Sequence, residues 1–403
     1  MSEAKGSERR GDGETGRRGD SELRTQNPEP LGTQHSALSR ILVVKLAGIG
    51  DLLTAFPALE ALRRRYPRAE ISALVTPQTE LLIRRSKLVD RVVVLDKYLF
   101  DDARGFLRPE SGRALLRLAR QLRGYSFDAV LLMHHLLTWP GVIKYALLML
   151  ASGAPLRVGL DDGRGRFLNL TRPDRGFGAL HEVEYWMQLV GLLGTTEPEP
   201  RVRLSWGAEE ESFAAEAWAR LGLGSTDQVV AIHPGSGSFS PARRWDPRGF
   251  AEVTRALTGD GLVPLVVAGP GEEGLAAQVV AEAGRPATLL EGTPSPLHLA
   301  AVLARARLFV GNDSGVMHVA FAAGVPVVAV FGLSNHRAWG PYDPTSERSR
   351  VVRVDLPCSP CLYRGQSMGL RYGCGDPQCL RQVTPATVIS AARELLESGT
   401  GSG

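Results

Sequence analysis

The stretch ILVVKLAGIGDLLTAFP, residues 41–57, carries the pattern that decides the fold. It begins with a nearly apolar run over residues 41–46, continues through a turn that contains Gly48 and Gly50, and passes into residues with helical spacing. Strands that are apolar on both faces are typical of parallel sheets, because helices cover both sides of such sheets. The stretch therefore predicts the first strand, turn and helix of a fold built from repeated βα units.

The same alternation of strand and helix recurs along the chain in two series. The first series predicts strands near residues 41–46, 70–75, 91–95 and 128–133, with helices such as 52–65 and 111–122. The second predicts strands near residues 228–232, 262–268, 308–310 and 325–330, with helices near 247–257, 274–283 and 296–304. Two series indicate an α/β protein of two Rossmann-like, doubly wound domains, which face a cleft at the carboxyl ends of their strands.

Local composition predicts the domain boundaries. Residues 1–38 contain only three large aliphatic side chains, which is too few to form a core, so they are predicted to be a disordered tail. The polar, proline-bearing stretch 194–205 predicts a linker between a first domain at 39–200 and a second at 201–382. The remaining residues, 383–403, are predicted to form a C-terminal helix and tail.

Whole-chain composition narrows the class of protein. The chain has 403 residues, of which 43% are hydrophobic and 22% charged, as in ordinary globular proteins. A formal net charge of +4 is too small and too evenly spread to indicate a nucleic-acid partner. Four cysteines are too few for a secreted disulfide scaffold, and no apolar run is long enough to span a membrane, so we expect a cytoplasmic protein. The apolar stretch 142–151 is interpreted as a buried helix.

Asp51 directly follows the first glycine turn. The turn differs from the dinucleotide fingerprint, because Leu53 stands where that motif has glycine or alanine, and this disfavours a nicotinamide or flavin cofactor. An aspartate at such a position either caps the helix or, at the mouth of a cleft, acts as a general base. The residues alone leave both roles open.

The second domain begins with a similar loop. His233, Gly235 and Ser236 belong to a run of small residues that either binds a phosphate through backbone amides or forms a plain turn. Further along, Arg243 and Arg244 are either phosphate ligands or a solvated basic pair.

The most specific single pattern is GNDSGVMH, residues 311–318, after the strand predicted near 308–310. Asp313 or Ser314 is predicted to cap a helix, and Gly315 leaves room for a ligand beside the unpaired amides of the first turn. His318 lies within reach of the same helix end, where it is either a phosphate ligand or a structural residue. The pattern predicts an anion site.

The four cysteines cluster near the C-terminus. Cys358 and Cys361 form a CxxC pair, and Cys374 and Cys379 follow after twelve residues as a looser CxxxxC pair. Four thiols at this spacing suit a structural zinc ion, and the alternatives are a redox pair or buried or free thiols. None of these interpretations makes them the catalytic centre.

Several separated blocks together resemble one known family. They are residues 41–57, HPGS at 233–236, ARRW at 242–245 and GNDSGVMHVAFAAGVPVVAVFG at 311–332. In this order they resemble glycosyltransferase family 9, the bacterial heptosyltransferases that build the inner core of lipopolysaccharide. The resemblance covers roughly residues 40–397 and includes the cysteine region, which resembles that of the longer members.

The resemblance implies a GT-B fold and inverting transfer of a sugar, usually heptose from ADP-heptose, without a catalytic metal or other cofactor. It implies a lipid-linked core oligosaccharide as the acceptor, and hence a transient contact with the inner membrane surface. Asp51 matches the position of the base that deprotonates the acceptor hydroxyl, with Gly48 and Gly50 in the acceptor-side loop. The residues that match the donor site are His233, Gly235, Ser236, Arg243, Asp313, Ser314, Gly315 and His318. Arg243 stands where the family usually has lysine.

Other functions stay open at this stage. A GT-B transferase for another surface glycan and a nucleotide-sugar epimerase would both use such a cleft. A non-enzymatic binding protein would use the glycine loops only as turns.

Overall fold

The computed structural model describes residues 38–96, 109–284 and 287–398. The predicted N-terminal tail lies outside these ranges except for Leu38, and residues 399–403 of the predicted C-terminal tail also lie outside them.

Two parallel six-stranded sheets form the framework. The strands of the first sheet are β1 (Arg40–Lys45), β2 (Glu70–Val75), β3 (Arg91–Val94), β4 (Ala129–Leu132), β5 (Leu156–Asp161) and β6 (Leu170–Pro173). Those of the second are β7 (Val229–His233), β8 (Val263–Ala268), β9 (Thr288–Glu291), β10 (Leu308–Asn312), β11 (Val327–Val330) and β12 (Ser349–Val352). The spatial orders are β3-β2-β1-β4-β5-β6 and β12-β11-β10-β7-β8-β9. Both are the doubly wound order, so the predicted fold class is confirmed.

Helices connect the strands of each sheet. In the first half they are α1 (Ile49–Leu53), α2 (Phe56–Arg65), α3 (Pro77–Arg85), α4 (Pro109–Gly124), α5 (Trp139–Ala151) and α6 (Glu182–Gly191). In the second half they are α7 (Ala208–Arg220), α8 (Pro247–Gly259), α9 (Glu273–Ala283), α10 (Pro296–Leu303), α11 (Gly315–Ala322), α12 (His336–Trp339), α13 (Gln378–Arg381) and α14 (Pro385–Ser398). Within the described ranges, no helix is both long and apolar enough to cross a membrane.

Two sequence predictions need correction. The helix predicted over residues 52–65 is divided into α1 and α2, because Pro57 fits only the first turn of a helix and therefore starts a new one. The stretch 142–151 is helical, as predicted, but it is not buried. One face of α5 packs on the sheet through residues such as Tyr145 and Leu148, whereas Ile143 and Leu147 on the opposite face are exposed.

The two halves are joined at a seam that includes backbone hydrogen bonds. A hairpin formed by β13 (Leu362–Arg364) and β14 (Ser367–Gly369) extends from the second half, and the Phe177 amide of the first half donates to the Gly365 carbonyl at 2.9 Å. Gly176 has a φ of +81°, and a Cβ there would lie 2.7 Å from the Gly365 carbonyl carbon. The seam therefore requires glycine at this contact.

A buried ion cluster holds the first half's side of the seam. His135 Nδ1 lies 2.8 Å from Asp174 Oδ2, and its Nε2 lies 3.0 Å from Glu182 Oε1. Burial alone would lower the pKa of His135, but the two carboxylates outweigh burial and raise it to about 9. Asp174 is in turn joined to the hairpin, because Gln366 Nε2 donates to its carbonyl at 2.8 Å. The charged imidazole thus fixes the loop that meets the second half.

We expect His135 to make the stability of the fold depend on pH. Its pKa is raised from 6.5 to about 9 by folding, so its contribution is complete below about pH 6.5 and disappears as the pH rises through about 9. Over this pH range the unfolding free energy of the wild type should fall by about 3 kcal/mol more than that of His135→Gln. Glutamine carries no charge that the rising pH removes. Denaturant unfolding curves at the two ends of the range measure the difference. Parallel pH dependences for the two proteins would mean that the folded imidazole is neutral.

Candidate active site

The ends of two helices, one from each half, meet in the cleft. A Cβ on Gly50 of α1 would lie 2.5 Å from Cδ2 of His318 on α11, and a Cβ on Gly315 would lie 4.0 Å from the Gly50 nitrogen. A Cβ on Gly315 would thus make only an ordinary contact with α1, so the close approach of the two helices depends on Gly50. The N-terminal ends of α1 and α11 converge here, and each follows the carboxyl end of the central strand of its sheet.

Asp51 lies in the first turn of α1 and is partly exposed. It is not the N-cap residue, which is Gly48; instead its Oδ2 accepts a hydrogen bond from the Gly48 amide at 3.2 Å. Thr54 donates its hydroxyl hydrogen to the Asp51 carbonyl at 2.8 Å. These contacts fix the carboxylate at the cleft while leaving it accessible, which is what a general base needs.

Arg243 and Asp313 form an ion pair opposite α1. Arg243 Nη1 lies 3.2 Å from Asp313 Oδ2, and its Nη2 donates to the Ser236 carbonyl at 2.7 Å. The guanidinium is largely buried and held at two points, so it is an ordered cation beside the N-terminus of α11.

Ser314 is the N-cap of α11, and its hydroxyl accepts from the Met317 amide at 3.2 Å. The amides of Gly315 and Val316 in the first turn have no acceptor within their own helix. Together with the positive end of the helix dipole and the nearby Arg243, they are suited to hold an anion. The predicted anion-site residues of this segment are thus brought together.

His318 is buried against Gly50. Burial lowers its pKa and Arg243 acts in the same direction, whereas the charges of Asp313 and Asp51 oppose the shift. The imidazole is therefore neutral at physiological pH, and one of its two nitrogens is a hydrogen-bond donor.

The loop at residues 233–238 has a partner that the sequence did not indicate. Glu272 Oε1 accepts from the amides of Ser236 and Gly237, both at 2.8 Å, and from Arg244 Nη2 at 2.9 Å. A Cβ on Gly235 would lie 2.0 Å from Glu272 Oε2, so glycine is required there. The carboxylate thus fills the amide cradle that the sequence suggested for a phosphate.

The side chains of this loop face inward. His233 is completely buried and its Nδ1 donates to the Val267 carbonyl at 3.0 Å, while burial lowers its pKa. The Ser236 hydroxyl donates to the Ser240 carbonyl at 3.0 Å. Burial opposes ionisation of Glu272, but the neighbouring positive groups and the two amides lower the pKa of its carboxyl overall. The side chains of His233, Ser236 and Glu272 thus determine the shape of the loop beneath Arg243. Arg243 itself extends from this loop to Asp313.

Tyr363 is a further cleft residue that sequence reasoning missed. It belongs to β13, has a φ of +58°, and its ring lies 4.9 Å from that of Phe177 and 5.5 Å from that of Trp339. Burial raises the pKa of its hydroxyl, and the charge of Asp51 adds to this shift. A tyrosine in left-handed backbone conformation is strained, which is common where a side chain must reach a functional site. No local sequence signal marks it, because its neighbours come from distant parts of the chain.

The cysteine region includes Tyr363 and lies beside Arg244. Within the described ranges, no group of three or more His, Cys, Asp or Glu side chains is arranged to hold a metal ion, so structural zinc stays a prediction. The four thiols are free, and burial raises the pKa of Cys361 and Cys379. A cavity of about 720 Å³ beside Cys374 and Cys379 is also lined by Arg244 and Trp245, but not by Asp51 or His318.

Comparisons with known proteins agree with the sequence resemblance. The sequence profile of glycosyltransferase family 9 (heptosyltransferase) matches residues 115–371. Lipopolysaccharide heptosyltransferase 2 of Escherichia coli K12 is 24% identical over 378 residues, which cover 89% of this chain and 98% of that relative.

Solved structures agree in fold. A family 9 glycosyl transferase from Veillonella parvula superposes with a TM-score of 0.69 at 24% identity, covering 89% of this chain and 97% of that chain. The Escherichia coli heptosyltransferase WaaC, solved with ADP, superposes with a TM-score of 0.64 at 19% identity, covering 88% and 99%. The profile match spans more than half of the chain, and so this protein belongs to glycosyltransferase family 9 and is a glycosyltransferase with the GT-B fold.

Proposed function

We propose that the protein transfers heptose from ADP-heptose to a lipid-linked core oligosaccharide of lipopolysaccharide, with inversion at the anomeric carbon and without a catalytic metal. The convergence of Asp51 with the Arg243–Asp313 pair and the N-terminus of α11 is the observation that carries this proposal. Support for the donor and acceptor comes from the relatives, one of which is named for lipopolysaccharide and another of which was solved with ADP.

In this mechanism the Asp51 carboxylate takes the proton from the acceptor hydroxyl. The acceptor oxygen then attacks the anomeric carbon as the bond from that carbon to the diphosphate oxygen breaks. Arg243 and the first amides of α11 stabilise the charge that develops on the departing ADP. The proposed donor site also includes Ser314, Gly315 and His318. The loop that contains His233, Gly235 and Ser236 supports Arg243.

With this acceptor, the proposed site of action is the cytoplasmic face of the inner membrane. The test is incubation of the purified protein with ADP-heptose and with core lipid that lacks the transferred heptose, followed by mass spectrometry. We expect the acceptor to gain one heptose with inverted anomeric configuration, and the rate to be unchanged by a metal chelator. Transfer from another nucleotide sugar only, or conversion of the donor without acceptor as in an epimerase, would overturn the proposal.

Replacing the proposed base should separate catalysis from donor binding. We expect Asp51→Asn to lower kcat by roughly 10²–10⁴-fold, because the carboxylate acts on the acceptor proton in the transition state. The Kd for ADP, measured by calorimetry, should change by no more than about twofold.

Asp227→Asn is the matched control. Asp227 accepts from the Gly224 amide at 2.7 Å, three residues earlier as in Asp51, but it lies before the amino end of β7. It should retain full activity. Equal losses of turnover and ADP affinity in Asp51→Asn would remove Asp51 from the role of base.

The close approach of α1 and α11 gives a second prediction. Gly50→Ala places a Cβ 2.5 Å from the His318 ring, so the ring or the helix that carries it must move. We expect kcat/KM to fall about tenfold or more, because misplacement of reacting groups by about 1 Å is enough for such a loss. The thermal midpoint should not fall much, since alanine favours helix over glycine.

Gly191→Ala is the control for this change, because nothing lies within 4 Å of a Cβ at that helical glycine. Steady-state kinetics of both variants make the comparison. An unaltered kcat/KM in Gly50→Ala would show that the helix contact is not part of the working site.

A further inference from the structure

Helix α5 carries an apolar stripe on its solvent side. Trp139, Ile143, Leu147 and Leu150 are 66%, 53%, 44% and 52% exposed, and their spacing of three or four residues places them on one face. Leu116 on the neighbouring helix α4 is also half exposed. Isolated exposed apolar residues are ordinary, but a continuous stripe of this kind marks an interaction surface.

The opposite face of α5 packs against the core of the first half. Val142, Tyr145, Leu148 and Met149 are buried in the core of the first half. The stripe is therefore additional to what the fold needs, and the fold offers nothing within the described ranges that covers it. We call Trp139, Ile143, Leu147 and Leu150, with Leu116, the apolar stripe.

The surroundings of the apolar stripe are basic. Helices α4 and α5 together contain five Arg or Lys residues and a single acidic residue, Glu110, in the first turn of α4. Arg113, Arg117 and Arg120 are exposed on α4, beside the stripe. An apolar face flanked by cations is the composition of a helix that lies in the interface of an anionic membrane.

The position of the stripe relates it to the cleft. Helix α5 follows β4 through the loop that holds His135, so Trp139 lies at the carboxyl edge of the first sheet, the same edge as Asp51. From Trp139 to Leu150 the helix rises about 16 Å. The stripe therefore starts beside the cleft and runs along the outer surface of the domain that carries the proposed base.

We propose that α4 and α5 dock this enzyme on an anionic bilayer, with the apolar stripe at the boundary of headgroups and acyl chains and the arginines on lipid phosphates. This rests on the proposed function, because docking would bring the cleft to a lipid-linked acceptor. A second copy of the chain is a poorer occupant, since two such faces would bring arginines of like charge together. With 13 residues, α5 is too short to span the bilayer, so the helix lies along its surface.

The test is co-sedimentation of the full chain with vesicles of phosphatidylethanolamine and phosphatidylglycerol, and with vesicles of phosphatidylcholine alone. Wild type should bind the anionic vesicles, and Ile143→Gln combined with Leu147→Gln and Leu150→Gln should lower the partition coefficient at least about tenfold. Arg117→Gln with Arg120→Gln should weaken binding and reduce its dependence on salt. The matched control is Leu81→Gln with Tyr372→Gln, two exposed apolar residues outside the stripe, which should bind as wild type does.

Brominated lipids give a second measurement on the unaltered chain. They should quench the tryptophan fluorescence of the wild type. The quenched part should be the contribution of Trp139, which is absent from Trp139→Phe. Wild-type vesicle binding by the triple stripe variant, or absence of any binding by wild type, would overturn the proposal. A concentration-dependent dimer, seen by sedimentation velocity for the wild type and lost in the triple stripe variant, would also overturn the proposal. A second copy of the chain would then cover the apolar stripe.

The docking test and the test of function fail independently. Stripe variants should retain wild-type affinity for ADP and wild-type transfer to acceptor dissolved in detergent, because they change residues outside the cleft. Vesicle binding without heptose transfer would refute the proposed function and leave the docking face intact. Heptose transfer without vesicle binding would refute the docking face and leave the proposed function intact.

Discussion

The close approach of α1 and α11 is the contact on which the site depends. It is possible because Gly50 presents no side chain where the helices meet, and the His318 ring occupies the space that Gly50 leaves. One helix carries the carboxylate of Asp51 and the other an amide-rich N-terminus beside a cation. A larger residue at position 50 would not allow this approach, and the Asp51 carboxylate would then lie farther from the N-terminus of α11.

In the second half, contacts with Glu272 fix the shape of the loop after β7. Glu272 holds the amides of the loop after β7 and also binds Arg244, so the loop has a defined shape before any ligand arrives. Arg243 leaves this loop and reaches Asp313. In the proposed mechanism, such preorganisation reduces the entropy that donor binding must overcome, because the cation is already in position.

The central strands were predictable from sequence, because both faces of each are covered and their residues are almost all apolar. Strands β5, β6, β9 and β12 were not, since they mix polar and apolar residues and carry no continuous apolar run. Asp51, Arg243 and the segment around Ser314 were identified because each follows a predicted strand. Glu272 and Tyr363 were missed, because their roles depend on partners far along the chain. The role of His135 was not predictable either, for its two carboxylates are 39 and 47 residues away.

The seam between the halves also has a temporal consequence. Asp174 and its partner Gln366 are 192 residues apart in the sequence. A ribosome that adds about 5–20 residues per second needs roughly 10–40 s to make the intervening chain. During that interval the first sheet is complete, but the Phe177 segment has no hairpin to pair with. The nascent protein therefore acquires its joined cleft only after Gln366 has been synthesised.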